Sequence, residues 1–123
     1  MSRSARRVLS FTQADFDAFA KLSGDDNPIH VDPGFSAQTR FGKTVAHGAL
    51  LCSVLRGLVE DLVPGGRQIR QSTMYPAPSP AGEALRFDAE TISENETNTV
   101  IKLTVTRLGD DVMTCIGETE VVA

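Results

Sequence analysis

VAHGALLCSVLRGLVEDLV, residues 45–63, has the strongest apolar periodicity in this 123-residue sequence. Its leucines and valines fall into two adjacent helical rows, which at about 100° per residue cover an apolar arc of roughly 200°. The rows are Leu50, Val54, Leu58 and Leu62, and Leu51, Leu55, Val59 and Val63. Pro64 and the two glycines after it end the segment. We therefore expect one long helix that the rest of the chain covers on several sides.

The part of the chain after this helix has the patterns of β-strands. In residues 99–108, Ile101, Leu103 and Val105 alternate with polar residues, as in a strand with one buried face. Short polar turns separate the last three segments and make neighbouring strands antiparallel. The predicted strands are residues 67–75, 84–93, 99–108 and 111–122, with a further short strand at 7–11. These elements predict the α+β class, with an antiparallel sheet of about five strands wrapped around one long central helix.

Shorter elements are predicted before the long helix. Thr12 is suited to cap a helix over residues 13–22, and a following glycine can end that helix in the left-handed conformation. Because Pro28 biases the residue before it away from helical angles, residues 24–30 are expected to be a loop. Residues 32–42 suggest one or two further turns of helix.

Composition and charge exclude several classes of function. Twelve basic and 16 acidic residues give a net charge of -4, which argues against a nucleic-acid partner. Arg56, Glu60 and Asp61 interrupt the long apolar stretch, so no membrane span is expected. The N-terminal residues lack an apolar run of signal-peptide length, and a cytoplasmic location is therefore expected. Cys52 and Cys115 lack paired spacing, so we expect two core thiols and neither a zinc site nor a redox motif.

Acid–base side chains are concentrated in LSGDDNPIHVDP, residues 22–33. Asp25 and His30 lie across a turn braced by Pro28, close enough in sequence to hold one water molecule between them. Alternatively, the acidic residues and Asn27 cap backbone groups in a polar turn, and His30 is a surface residue. The residue types alone leave both interpretations open.

His47 and Gly48 stand at the start of the long helix, where unpaired N–H groups and the helix dipole favour a developing negative charge. Gly48 has no side chain to obstruct a substrate oxygen that approaches its N–H, although a glycine there also allows close packing. Ser53, on the polar side of the helix, either lines the site or faces solvent. The two histidines lack the short helical spacing of metal ligands, so no metal site is expected.

These stretches resemble the MaoC-like, (R)-specific enoyl-CoA hydratases and dehydratases, which have the hot dog fold. The motif G-D-x-N-P-x-H at residues 24–30 and the downstream H-G of His47 and Gly48 carry the resemblance. It is specific over residues 19–53 and extends only to the architecture beyond them. It implies that residues 1–123 form a single MaoC-like hot dog domain, in which the sheet wraps around the central helix.

The resemblance also implies a reaction. The chain would be a hydro-lyase of fatty acid metabolism, adding water reversibly to trans-2-enoyl-CoA to give (R)-3-hydroxyacyl-CoA. Asp25 and His30 would activate the water and share the proton transfers, and the backbone N–H of Gly48 would form the oxyanion hole for the thioester oxygen. Residues supporting the site would be Asn27, His47 and Ser53. No cofactor is implied beyond the coenzyme A of the substrate, and family members of this length usually act as homodimers.

Residues 74–83, MYPAPSPAGE, depart from the family's commoner aromatic-x-x-Pro-Val followed by Gly-Asp. This departure leaves the shape of the acyl pocket and the preferred chain length open. Three other functions also stay open: a (3R)-hydroxyacyl-acyl carrier protein dehydratase with the same residues, a hot dog thioesterase, and a non-catalytic acyl-thioester-binding hot dog protein. The expected partner is an acyl-CoA or acyl carrier protein thioester.

Overall fold

The structure is a computed structural model and describes residues 2–123. In chain order its elements are β1 (Ser4–Leu9), α1 (Gln13–Ser23), α2 (Pro28–Val31), α3 (Pro33–Ser36), α4 (Gly48–Leu62), β2 (Arg67–Met74), β3 (Leu85–Glu94), β4 (Asn98–Arg107) and β5 (Val112–Val122). The strands form one five-stranded sheet in the order β1-β3-β4-β5-β2, and every neighbouring pair is antiparallel. The predicted α+β architecture is therefore confirmed.

Helix α4 packs against the sheet and contacts β1, β3 and β4. Its buried residues are Leu51, Leu55, Leu58, Val59 and Leu62. The sheet residues in the same core are Leu85, Phe87, Ala89, Ile101, Leu103, Val105, Cys115 and Val121. Burying each large side chain of this kind contributes about 1.5–3 kcal/mol. Leu50 and Val54 are only half-buried at the margin of this core, so the two apolar rows of α4 are covered unequally.

Two short elements differ from the sequence prediction. Strand β1 covers Ser4–Leu9 and not residues 7–11, because its hydrogen-bonded register with β3 begins at the earlier residue. Residues 24–30 are not entirely a loop, since Pro28–Val31 forms the one-turn helix α2. Pro28 occupies the first helical position, where an N–H would have no partner within the helix. Asn27, the residue before the proline, has the expected non-helical angles (φ -52°, ψ 133°), and the helix begins at Pro28 itself.

The two cysteines differ in burial. Cys115 on β5 is fully buried, as predicted. Cys52 is only half-buried on the side of α4 that faces β2, where Gln71 Nε2 lies 3.6 Å from its sulfur. The prediction of two core thiols is therefore wrong for Cys52, which falls outside the best-buried row of the helix.

Candidate active site

The turn between α1 and α2 is fixed at both ends by backbone caps. Gly24 adopts a left-handed φ of 83°, and its N–H donates to the carbonyl of Ala20 at 2.8 Å, which ends α1. Asn27 Oδ1 accepts the N–H of Ile29 at 3.1 Å and so caps α2. Asp25 lies inside this turn, and His30 lies on the single turn of α2 that the cap begins.

His30 is held in one orientation by the segment that leads into α4. Its Nδ1 lies 2.7 Å from the carbonyl oxygen of Val45, and because a carbonyl only accepts, Nδ1 carries the proton. In the neutral imidazole this tautomer leaves the lone pair on Nε2, which lies 3.8 Å from Oδ2 of Asp25. That separation is too long for a direct hydrogen bond, but one water can donate to both atoms across it. The His30 side chain is 10% exposed and that of Asp25 is 56% exposed.

His47 connects the two members of this pair. Its Nε2 lies 2.9 Å from the backbone carbonyl oxygen of Asp25 and donates to it. Its ring stacks on that of His30, with centroids 3.9 Å apart and planes 22° apart. Phe16 and Phe19 pack against the other surfaces of the ring, and the side chain is buried. His47 thus fixes the distance between the turn that carries Asp25 and the helix that carries His30.

Gly48 is the first residue of α4, and no side chain caps that end of the helix. The N–H of Leu50 donates to the carbonyl of His47, whereas the N–H groups of Gly48 and Ala49 remain available to a ligand. A Cβ at position 48 would lie 2.6 Å from Cζ of Tyr75, a distance that real Cβ atoms do not show. The ring of Tyr75 covers this glycine, and both residues line the same cavity.

One cavity of about 550 Å³ connects His30 to the start of α4. Its lining is mainly apolar, with Val45, Leu51 and Phe41 among the walls. Asp25 and His47 do not line it; Asp25 stands beside His30 on the solvent side, and His47 lies behind it. The cavity therefore presents the imidazole of His30 and the helix end at Gly48 to a common space.

Two other sequence-predicted residues lie apart from this cavity. Asn27 is exposed and acts on the backbone of the turn. Ser53 is exposed, and its hydroxyl donates to the carbonyl of Leu50 at 2.7 Å. The structure thus brings together Asp25, His30, His47 and Gly48, and it leaves Ser53 on the outer side of α4.

Among the cavity residues that were not identified from the sequence, three carry a hydroxyl group: Tyr75, Ser79 and Thr114. The hydroxyl of Tyr75 lies 3.2 Å from Sγ of Cys52. Burial, with a further contribution from this thiol, raises the pKa of Tyr75 to about 12, so its hydroxyl stays protonated at neutral pH. Only the aromatic-x-x-Pro pattern at residues 75–78 gave a signal for Tyr75 in the sequence.

Asp25, His30 and His47 offer ligand atoms that all lie within 4.8 Å of one another. One nitrogen of each imidazole is engaged by a backbone carbonyl, which leaves only the other nitrogen of each ring for an ion. His47 stands outside the cavity, so its remaining nitrogen does not face the space that His30 lines. The absence of a metal cofactor stays a prediction.

The family described as "MaoC like domain" matches residues 1–113 of the chain. Among curated proteins, the (R)-specific enoyl-CoA hydratase of Aeromonas caviae is 35% identical over 106 residues, which are 85% of this chain and 79% of that protein. The 3-hydroxyacyl-thioester dehydratase Z of Mycobacterium tuberculosis is 28% identical over 121 residues, with 89% of this chain and 80% of that protein covered.

Solved structures agree with these matches. The (R)-hydratase from A. caviae superposes with a TM-score of 0.92 at 30% sequence identity, covering 98% of this chain and 94% of that one. The R-hydratase from Pseudomonas aeruginosa in the unliganded form gives 0.90 at 25% identity, covering 100% and 81%. The fold is shared with these proteins. The chain belongs to the MaoC-like domain family.

Proposed function

We propose that this chain is an (R)-specific hydratase that adds water reversibly to trans-2-enoyl-CoA and forms (R)-3-hydroxyacyl-CoA. One observation carries the proposal: the 3.8 Å pair of Asp25 and His30 stands beside the uncapped end of α4 at Gly48. The names of the A. caviae and M. tuberculosis relatives, a hydratase and a dehydratase, support the same reversible chemistry. No cofactor is needed, because coenzyme A arrives as part of the substrate.

In the proposed mechanism, the pair activates one water molecule. His30 Nε2 accepts a proton from the water while the oxygen attacks C3 of the enoyl group. Asp25 accepts the second hydrogen of the same water as a hydrogen bond and stabilises the positive charge that forms on His30. The proton then returns from the pair to C2 on the same face, so that the elements of one water molecule are added across the double bond. The hydrogen bond from Nδ1 to Val45 keeps Nε2 available for this transfer.

The end of α4 would stabilise the charge that the attack produces. Electrons move from the double bond to the thioester oxygen, which becomes an enolate oxygen between the two transfers. The N–H of Gly48 donates to that oxygen, and the positive end of the helix dipole adds to the stabilisation. One such donor contributes about 10²–10³-fold to the rate.

The test is hydration of crotonyl-CoA by the purified chain, followed by loss of enoyl absorbance and by the chirality of the product. We expect (R)-3-hydroxybutyryl-CoA from the wild-type protein and a loss of about 10²–10⁴-fold in kcat for His30→Ala. No turnover, an (S) product, or full activity in the variant would overturn the proposal. Tight binding of crotonyl-CoA with its enoyl absorbance retained would instead support a non-catalytic binding protein.

The carrier defines a second candidate function. The M. tuberculosis relative is named for a thioester without a stated carrier, and a mitochondrial relative from Arabidopsis thaliana is named as an acyl carrier protein dehydratase. The reactions on both carriers would use the same active-site residues, so variants of Asp25 and His30 cannot distinguish the two functions. A comparison of kcat/KM for 3-hydroxybutyryl-CoA and 3-hydroxybutyryl-acyl carrier protein decides between the two.

We also propose that the chain works as a homodimer. Strand β2 lies at an edge of the sheet, and its Ile69 and Met74 are among the exposed large apolar residues. Tyr75 follows β2 directly and lines the cavity, so a second copy on this edge would cover the site.

Within residues 2–123, no helix is long and apolar enough to span a membrane. The cytoplasmic location stays a prediction.

A further inference from the structure

Two hydroxyl-bearing residues, Ser79 and Thr114, line the cavity that His30 and Gly48 share. Both hydroxyl oxygens are buried, and neither has a hydrogen-bond partner in the part of the chain that the structure describes. A buried hydroxyl without a partner opposes folding, and most buried polar side chains are paired. Two such groups in one cavity with mainly apolar walls therefore call for a ligand that pairs with them.

Ser79 is held next to the start of α4. Its carbonyl accepts the N–H of Ala46 at 2.9 Å, two residues before Gly48. The residue is 3% exposed and its hydroxyl oxygen is buried, so bulk water does not satisfy this group. An alanine would fit the same backbone without leaving a polar atom unpaired.

Thr114 is brought inward by a β-bulge. Val105 of β4 pairs with Cys115, but Thr106 pairs with Met113, so Thr114 is the extra residue of β5 and has no partner across the ladder. In a regular strand neighbouring side chains point to opposite faces, yet Thr114 and Cys115 are both fully buried. Bulges commonly redirect a side chain beside an active site. Here the redirected side chain reaches the cavity lining.

We infer that the cavity selects 2-enoyl thioesters whose acyl chain carries an oxygen beyond the double bond, as a hydroxyl or carbonyl group. Ser79 and Thr114 are the specificity-determining residues, and this inference rests on the proposed function. A hydroxyl both donates and accepts, so the two side chains pair with either kind of oxygen. Rotation about one bond moves each hydroxyl between staggered positions. A plain alkyl chain would leave both hydroxyls unpaired, which is the situation in which a site discriminates most strongly.

The experiment compares trans-2-hexenoyl-CoA with its 5-hydroxy, 6-hydroxy and 5-oxo derivatives. We expect kcat/KM of the wild-type protein for at least one derivative to exceed that for the parent by about tenfold or more. Ser79→Ala and Thr114→Val remove the hydroxyls with little change in shape. Each is expected to lower the ratio of derivative to parent by about tenfold.

Thr106→Val is the matched control, because Thr106 is equally buried on the neighbouring strand but does not line the cavity. It is expected to leave the ratio unchanged. Thermal melting of the three variants checks that each is folded, and Ser79→Ala is tested separately so that the result does not depend on the bulge. A wild-type ratio of one or less for every derivative would overturn the inference, as would equal ratios in wild type, Ser79→Ala and Thr114→Val. If the two hydroxyls only hold a structural water, the wild-type ratio is expected to be one or less for every derivative.

A binding measurement separates this inference from the proposed function. Isothermal titration with hexanoyl-CoA and 6-hydroxyhexanoyl-CoA, which cannot be hydrated, reports selectivity without turnover. Tighter binding of the hydroxylated thioester, lost in Ser79→Ala, supports the inference even if crotonyl-CoA is not hydrated. If crotonyl-CoA is hydrated but neither assay shows a preference for the oxygenated thioester, the proposed function stands and only this inference is contradicted.

Discussion

Asp25 and Asp26 are adjacent carboxylates, and only Asp25 lies close to His30. Oδ2 of Asp25 is 3.8 Å from Nε2 of His30, whereas Asp26 is exposed and makes no side-chain ion pair in the described part of the chain. We expect Asp25→Asn to lower kcat for crotonyl-CoA by about 10²–10⁴-fold, because an amide stabilises the imidazolium poorly. Asp26→Asn removes the same charge from the same turn and should keep nearly full activity. Equal losses in both variants would mean that the charge of the turn matters and the pair does not.

His47 is expected to act by positioning Asp25, since its Nε2 donates to the carbonyl of that residue. His47→Leu removes the donor and the stacked ring, and we expect kcat to fall by about 10²-fold as the pair loses its alignment. His47→Gln can still donate from its amide and should recover part of that loss. Steady-state kinetics with a pH profile of kcat measure both variants. Identical kcat values for leucine and glutamine at position 47 would contradict a role for the hydrogen bond.

The reactivity of Cys52 tests the contacts around its thiol without a measurement of turnover. The thiol of Cys115, followed by the hydroxyl of Tyr75 and other donors, lowers the pKa of Cys52 to about 6 against the opposing effect of burial. The pKa of Cys115 is raised by the same contact with Cys52 and by burial. Because the thiolate is the reactive form, alkylation of Cys52 by iodoacetamide should increase as the pH rises through about 6 and level off above it.

Peptide mass spectrometry assigns the alkylated site, and Cys52→Ser provides the control that should remain unlabelled. Cys115 has no exposed surface and should stay unmodified in the folded protein. A midpoint near the ordinary thiol value of 9.0 would contradict the predicted environment of Cys52.

At the residue scale, the sequence predicted the part of the site that is local in the chain. Asp25 and His30 are separated by one short turn, so their proximity follows from Asn27 and Pro28 between them. The position of Ser53 could not be predicted, because a polar residue on a helix can face either solvent or a cavity. Ser53 is exposed, its hydroxyl donates to the carbonyl of Leu50, and it does not line the cavity.

At the scale of elements, helix α4 contains two glycines with opposite requirements. A Cβ at Gly48 would lie 2.6 Å from Tyr75, whereas one at Gly57 would meet nothing within 4 Å. We expect Gly48→Ala to lower kcat/KM by about tenfold or more, because the new methyl group displaces the Tyr75 ring from the site. Gly57→Ala should instead stabilise the protein by about 0.5–1 kcal/mol through helix propensity.

Crotonyl-CoA kinetics and urea unfolding are measured on both glycine variants. Gly57→Ala is then the control for the loss of activity, and Gly48→Ala is the control for the gain in stability. Full activity in Gly48→Ala would show that Tyr75 moves freely and that the close contact has no consequence for the reaction.

The helices and strands could be predicted where apolar residues recur with a single helical or strand period along a segment. The leucine and valine rows indicated α4, and alternation indicated β4, because each pattern reflects burial on a single face. The bulge at Thr114 has no such signal: it arises from the pairing of β5 with β4. The contact between Tyr75 and Gly48 likewise depends on the order of the strands, which local periodicity does not encode.

At the scale of the whole molecule, three of the exposed large apolar residues lie near one another at one edge of the sheet. Ile69, Met74 and Tyr75 are 49%, 58% and 46% exposed, and all three belong to β2 or directly follow it. An edge strand with unpaired backbone groups and apolar side chains is a surface on which a second strand can pair. A dimer through β2 would also shield the cavity that Tyr75 lines, so assembly and activity should be lost together.

We expect Ile69→Lys to convert a dimer into a monomer, because a second copy would bring two added charges together at an apolar contact. Size-exclusion chromatography with light scattering should show twice the mass of one chain for the wild-type protein and a single mass for the variant. Crotonyl-CoA turnover should fall as the dimer dissociates on dilution. Val8→Lys on β1 is the control, since Val8 is 56% exposed at the opposite edge of the sheet and its replacement should leave both mass and activity unchanged. A wild-type protein that is monomeric and fully active at all concentrations would rule out the dimer as a requirement of the site.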